Sequence, residues 1–456
     1  MLDFTNGKPW KLLLQFSIPM LIGNILMQLY NIVDIYIVGN YVGTRALAAV
    51  GASGPIIFAL ISFIIGIATG CTIIISQYFG AKDINSVKRA IETVTIFVLI
   101  AALVMMIIGF FLCTPLLNTV NTPADVFEDA RIFYIITLIG ILPLFGVNCL
   151  SAILRGLGDS KTPLFFMVVS SIINIILVLI FVPVLGLGIA GAAWATVLAQ
   201  SLTVAALIYW LNHRHPIIRI RLYHISFDRD IFRNSIRIGL PNGIQQALVA
   251  IGMMALLRIV NRFDSNVLAA YSVASRIDSL ASAPAMTFSI AIAAFVGQNI
   301  GARKQYRIGY GLRAALKMSS AIALVISVII VLFRYRIMEW FATEAEPSVI
   351  MIGGRYLLIV GIFYIVFSTM YILNGVMRGA GDTLITMFIT LLSLWLIRIP
   401  IASTLSRYIG SDGIWWSIPI AWSIGTLFAF LYYKAGRWKS KSIIKPLEPI
   451  DIPPNV

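Results

Sequence analysis

The stretch Gln77-Tyr78-Phe79-Gly80-Ala81-Lys82 returns 221 residues later as Gln298-Asn299-Ile300-Gly301-Ala302-Arg303. That echo decides the fold, because it is not alone. Pro19, near the start of an apolar run, matches Pro241 at an offset of 222. Leu47-Ala48-Ala49 matches Leu268-Ala269-Ala270 at 221, and Arg155-Gly156-Leu157-Gly158-Asp159 matches Arg378-Gly379-Ala380-Gly381-Asp382 at 223. Four ordered landmarks at nearly one offset mark a chain built from two copies of one unit.

Composition says which solvent the unit meets. Of the 456 residues, 59% are hydrophobic and 12% charged, far from a soluble average. Apolar runs of roughly 20 residues, enough to cross hydrocarbon, recur about twelve times, from about 12–38 to about 412–434. The chain therefore reads as an all-α integral membrane protein of about twelve transmembrane helices, six per copy. Six is even, so the second copy enters the membrane in the same orientation as the first. Such a parallel repeat forms two lobes related by a pseudo-twofold along the membrane normal, with a chamber between them. Disorder and a disulfide scaffold are excluded, and Cys71, Cys113 and Cys149, all inside apolar runs, are expected to be free and buried. The first apolar run continues from Lys11 to about Val38, too long for the core of a cleavable signal peptide.

A net charge of +15 would suggest nucleic acid in a soluble protein, but here the basic residues gather in short gaps between apolar runs. Lys82, Lys88 and Arg89 fill one gap, Arg155 and Lys161 another, Arg303, Lys304 and Arg307 a third. Asp125, Glu128 and Asp129, and later Glu339, Glu344 and Glu346, fill alternate gaps. The positive-inside rule then puts both termini in the cytoplasm of a multi-pass protein of the cell (inner) membrane, with no nucleic-acid partner. The longest polar stretch is the seam. The expected organisation is a six-helix lobe over 1–211, a cytoplasmic linker over 212–232, a second six-helix lobe over 233–434 and a cytoplasmic tail over 435–456.

An ionisable group at the centre of a membrane helix costs roughly 2.5–3.5 kcal/mol on insertion scales, which makes each one a functional candidate. Two acids lie well inside apolar runs, Asp34 and Asp278. Asn24, Gln28, Asn31 and Asp34 share a polar stripe on the first helix, which must face protein or water. Such a stripe can serve helix packing alone. No basic residue lies inside the first lobe's apolar runs to neutralise Asp34, which favours a functional role. Asp278 has Arg276 two residues away and Arg258 on the preceding helix, so a structural ion pair and a direct role in transport both stand. Arg398, in the middle of the eleventh run, needs a partner of its own.

Gly186-Leu187-Gly188-Ile189-Ala190-Gly191 matches the GxGxxG dinucleotide pattern. The preceding run is long enough to span a membrane, so the glycines read instead as a tight hairpin between the fifth and sixth helices. His213, His215 and His224 all lie in the seam and no HExxH occurs, so an enzyme is not expected.

In both halves, and in order, the chain resembles the multidrug and toxic compound extrusion (MATE) transporters, particularly the prokaryotic ones. The carriers are Pro19, Gln28-Leu29-Tyr30-Asn31-Ile32-Val33-Asp34, Leu47-Ala48-Ala49-Val50-Gly51, Ser76-Gln77, Gly80-Ala81, the two Arg-Gly-x-Gly-Asp motifs, Gly191-Ala192-Ala193-Trp194-Ala195-Thr196 and Gly297-Gln298. The resemblance implies a V-shaped pair of lobes that exports amphiphilic, often cationic compounds in exchange for a cation. It also implies a coupling site built on Asp34, fifteen residues after the kinking Pro19, with Asn174 and Thr196. The family pattern has an Asp where this chain has Val178, and a branch of the family has acids where this chain has Gln245 and Gln246. Burial disfavours a charged carboxylate, which suits loading by a proton, so H+ is favoured over Na+. Gln28, Tyr30, Asn31, Gln245, Gln246, Arg276, Asp278 and Arg398 are the candidates for the substrate cavity. The partners expected are an amphiphilic small molecule and membrane lipid, the protein is expected to be monomeric, and no cofactor or resident metal is expected. The alternative is a lipid or lipid-linked saccharide flippase of related fold, with the arginines facing an anionic headgroup.

Overall fold

The computed structural model describes residues 1–119, 122–214, 226–341 and 346–443, apart from the side chains of 29–32, 34–36, 38, 44–47 and 52. His215 and His224, most of the expected linker and Glu344 thus lie outside the described residues. The first half is α1 (Pro9–Val42), α2 (Thr44–Gly80), α3 (Ile84–Thr119), α4 (Phe127–Ile139), α5 (Ile141–Gly156), α6 (Lys161–Leu179) and α7 (Gly188–Arg214). The second is α8 (Arg229–Val260), α9 (Ser265–Gly301), α10 (Tyr306–Phe341), α11 (Pro347–Gly361), α12 (Tyr364–Gly379), α13 (Thr383–Leu391), α14 (Ile399–Ile409) and α15 (Ser411–Ala435). Ten spans are long and apolar enough to cross a membrane, and two bent pairs bring the number to 12.

The bends fall at the fourth span of each half, where the sequence pattern shows one unbroken run. Between α4 and α5 the axis turns 43°, and between α11 and α12 it turns 50°. Pro143 has no N–H for the Ile139 carbonyl, so the ladder opens at Gly140. The second bend has no proline. There Ser327 Oγ donates to the Gly361 carbonyl at 2.6 Å, replacing the helical partner that the bend removes. Fifth spans are interrupted too. A π-helical turn covers Ile180–Val184 and another covers Leu392–Arg398. Pro183 lies inside the first and Pro400 follows the second, each removing a backbone donor. The hairpin Gly186–Gly188 closes with Leu187 N on the Phe181 carbonyl at 3.0 Å, with both glycines at positive φ.

The halves meet where small residues let backbones touch. A Cβ at Gly70 would collide with the Gly239 backbone, one at Gly66 with Asn242, one at Gly80 with Gln298 and one at Gly301 with Gln77. These contacts run along α2, α8 and α9 to the face where Phe4 and Ile443 are seated, termed the terminal face below. On that face Glu92, four residues after Lys88, accepts hydrogen bonds from the backbone and hydroxyl of Ser226, tying the end of the seam to α3.

The first helix belongs to both halves. Phe4, Leu13 and Phe16 are fully buried in one apolar cluster with Phe288, Ile292, Phe295 and Ile372 of the second half. Beyond Pro19, which leaves the Gln15 carbonyl without its helical donor, Gly23 packs against Met167 and Leu164 of α6, and Ile37 joins the first half's core. Pro19 thus stands where the helix passes from one lobe to the other.

Candidate functional site in the two lobe interiors

In the first lobe the structure joins two of the expected site residues. Asn174 Nδ2 donates to Thr196 Oγ1 at 3.1 Å, and Thr196 Oγ1 bonds the Ala192 carbonyl at 3.2 Å. Asn174 is buried and its Oδ1 has no partner among the described residues. An unpaired buried carbonyl in an apolar surround is costly, so this oxygen is an acceptor waiting for a donor or a cation. Val178, one turn along, is fully buried.

Tyr30, Asn31 and Asp34 lie on α1, with side chains outside the described residues. The backbone register still sets their level. Gly23 touches Met167 on the parallel helix α6, and eleven residues on, close to three turns, these rows reach positions 34 and 178. Val42 lies against Gly188 on the antiparallel helix α7, and eight residues inward from that contact come positions 34 and 196. One register therefore brings position 34 level with Thr196, and the other level with Val178, one turn from Asn174. The described members of the polar stripe do something else. Asn24 Nδ2 donates to Thr287 Oγ1 at 3.0 Å and Gln28 Nε2 to Ser279 Oγ at 3.4 Å, so both bridge to α9 of the other lobe.

The second lobe's interior is built differently. Asp278 has no ion pair among the described residues. It accepts instead from Tyr364 Oη at 2.9 Å. Around it stand Tyr271, stacked on Trp415 at 5.7 Å, and Tyr356, edge-on to the same ring at 5.0 Å. Arg276 is exposed, on a different side of α9. Arg398 is buried, with its Nη1 3.9 Å from Met253 Sδ and its Nε unpartnered. Gln245 donates from Nε2 to Thr390 Oγ1 at 2.8 Å while its Oε1 is unpartnered; Gln246 is half-buried beside it. The sequence reading missed Tyr364, Tyr356, Trp415 and Asn242, whose buried Nδ2 also lacks a partner. Aromatic residues inside apolar runs carry no signal of their own, and only the rotation of each helix reveals which face the acid.

No group of three or more His, Cys, Asp or Glu able to hold a metal occurs among the described residues. Among the described residues, the two interiors offer neutral hydrogen-bonding groups, the partly buried Asp278 carboxylate in an aromatic surround and the buried Arg398 guanidinium.

Comparison with known proteins places this architecture. The MatE family model matches residues 19–180 and again 241–404, and its two starts are Pro19 and Pro241. "Probable multidrug resistance protein YpnP" of Bacillus subtilis (strain 168) is 33% identical over 445 residues, covering 97% of this chain and 98% of that protein. "Probable multidrug resistance protein NorM" of Thermotoga maritima is 24% identical over 444 residues, covering 95% and 94%. Among solved structures, MATE in the bent conformation superposes with a TM-score of 0.89 at 26% identity, covering 97% of this chain and 98% of that one. A MOP superfamily transporter from Pyrococcus furiosus Vc1, for which a reversed polarity of the binding pocket suggests a different function, also gives 0.89 at 26%, covering 96% and 98%.

Proposed function

Because the chain belongs to the MATE family of ion-coupled antiporters, multi-pass membrane transporters and not enzymes, we propose that it exports amphiphilic, often cationic compounds by alternating access, driven by protons in preference to sodium. The observation that carries this reading is the Asn174 Oδ1, without a partner among the described residues and bonded through its amide to Thr196, within a turn of the level of position 34. A protonated carboxyl on Asp34 is a donor that suits this acceptor, and a sodium ion would want several oxygens at once. Buried Val178 supplies none. Loading of Asp34 then changes what the Asn174–Thr196 pair bonds, and the helix bends at Pro19, where a backbone bond is already missing.

Orientation follows from charge: both termini and the 212–232 segment face the cytoplasm, between lobes 1–211 and 233–434, with 435–456 as the tail. Impermeant thiol labelling of a cysteine introduced in 212–232 should fail in intact cells. The substrate contacts proposed are Gln28, Tyr30, Asn31, Gln245, Gln246, Arg276, Asp278 and Arg398, in a monomer surrounded by lipid. The test of coupling is drug efflux from vesicles under a pH gradient in sodium-free buffer, against a sodium gradient at equal pH. Efflux under sodium alone would overturn the proton reading and leave Asp34 as the coupling residue.

A second reading, transport of a lipid with an anionic headgroup, is favoured by one observation: Arg398 is buried without an acid partner among the described residues. Scrambling of a labelled anionic lipid in place of drug efflux would select it.

A further inference from the structure

Gln77 on α2 and Gln298 on α9 are fully buried at the terminal face, where an amide needs partners for both its donor and its acceptor. Each finds them across the boundary between lobes. Gln298 Nε2 donates to the Gly156 carbonyl and Gln77 Nε2 to the Gly379 carbonyl, both at 3.0 Å. Gly156 and Gly379 are themselves repeat partners, so the two bonds obey the pseudo-twofold.

The glutamine oxygens are taken by the chain ends. Phe4 N donates to Gln298 Oε1 at 2.9 Å, and Ile443 N donates to Gln77 Oε1 at 3.0 Å. Both ends reach these sites along equivalent tracks. Leu2 N bonds the Gly158 carbonyl at 2.9 Å, and the Lys441 carbonyl lies against Gly381; both glycines have positive φ. Phe4 is wedged between Phe16 and Phe295, with ring centroids 5.2 and 5.8 Å away. Asn299 Nδ2 holds its carbonyl at 3.1 Å, and Lys304 Nζ holds that of Thr5 at 3.0 Å. The two straps come from opposite ends of the chain and are not copies of each other, so duplication accounts for the matching seats but not for both being filled. A shared task does.

We propose that Gln77 and Gln298 are positioning residues of the transport cycle, a two-point latch in which each glutamine ties one lobe to the other and to a terminal strap, and which opens when the terminal face opens. The inference rests on the alternating-access reading. A neutral amide suits the task, since donor and acceptor share one rigid plane and no ion must be buried with it. When a strap leaves, its glutamine oxygen is left unpaired in an apolar setting, which weakens that side chain's hold on the other lobe. Strap release and lobe separation are thereby linked.

The test is the distance between spin labels on exposed Asn85→Cys and Gln305→Cys, one on each lobe beside the latch, measured by double electron–electron resonance on the full chain in lipid nanodiscs. Cys71, Cys113 and Cys149 are buried and free, so the added thiols take the label. Gln77→Ala/Gln298→Ala should raise the ratio of long to short distances about tenfold, about 1.4 kcal/mol for two lost buried bonds. Phe4→Ala, which lies before the first helix and outside the spans, should raise it in the same direction. Unchanged distances in both variants, or opening with the glutamines replaced but not with Phe4→Ala, would overturn the latch. Should the glutamine variant not fold, Phe4→Ala decides alone. The measurement needs neither cargo nor ion, so a latch that fails leaves the proposed function standing, and a latch that opens in a protein without drug efflux removes only the function.

Discussion

The two lobe interiors started from one plan and are now marked by different charged groups. At the repeat offset of 222, Asp34 corresponds to Leu256, Asp278 to Ile56, Arg398 to Ile176 and Asn174 to Leu396. All four of these groups are aliphatic in the other lobe, whereas Gln246 meets an amide, Asn24, at the same offset. The frame was treated the opposite way: the glycine contacts, the bent fourth spans and the π turns of the fifth spans appear in both halves. Backbone contacts between lobes tolerate little change, because an added Cβ strikes backbone and not a side chain that can move aside. The charged interior positions lie outside these backbone contacts and carry no such restraint. Duplication therefore fixed how the lobes meet and left each free to acquire its own chemistry.

The largest effect expected from this comparison is that of Asp34→Asn. It should lower ion-driven export by roughly a hundredfold while drug binding persists, as read by vesicle efflux and equilibrium binding side by side. Loss of binding together with coupling would show that position 34 serves cargo, and the division of labour between lobes would fall. Asp278→Asn comes next. The amide keeps an acceptor for Tyr364 but removes the charge, so the KM for a cationic drug should rise about tenfold with the ion-to-drug ratio unchanged. A change in that ratio would place a second coupling site in the C-terminal lobe.

Sequence reading had reached much of this before any coordinates. The spans and the parallel repeat follow from period and offset, which are properties of single helices or of two copies compared, while Asn174 and Thr196 come into view only through the family resemblance. Asp278 shows the limit. Arg276 and Arg258 are its near neighbours in sequence, yet Tyr364, 86 residues away, is its partner. Which helix turns toward an acid depends on packing between helices, and no periodicity in one helix records that. The same holds for the bend beside Gly361, which rests on a serine from another helix and not on a local proline.

Gln245→Ala should have a smaller effect. It breaks the bond to Thr390 but also removes an unpartnered carbonyl, so the net loss of stability is about 1 kcal/mol or less. Substrate range should change more than coupling, measured as a panel of drug susceptibilities against the ion-to-drug ratio. Coupling lost with binding intact would sink the view that the second lobe handles cargo.

The smallest effect lies on the N-terminal strap. Asp3 is partly buried, which pushes its carboxyl up, but hydrogen bonds from Thr5 and Asn6 outweigh this and hold it below its usual value. A depressed carboxylate stabilises the fold at neutral pH, and that contribution is lost as pH falls through the carboxylate range. Wild type and Asp3→Asn should thus differ slightly in thermal midpoint at pH 7 and converge near pH 3. A gap that widens on acidification would contradict the strap's docking.

The passage of α1 from one lobe to the other has a consequence for biogenesis. Phe4, Leu13 and Phe16 leave the ribosome about 280 residues ahead of their partners Phe288, Ile292 and Phe295. Until then the opening segment of the nascent chain has no seat, and six inserted helices cannot close around it. The first half is therefore not a self-sufficient folding unit, and a chain stopped at residue 211 should expose this segment to membrane proteases. Splitting the gene at the seam and co-expressing both pieces should restore protection, because the missing seat is supplied in trans.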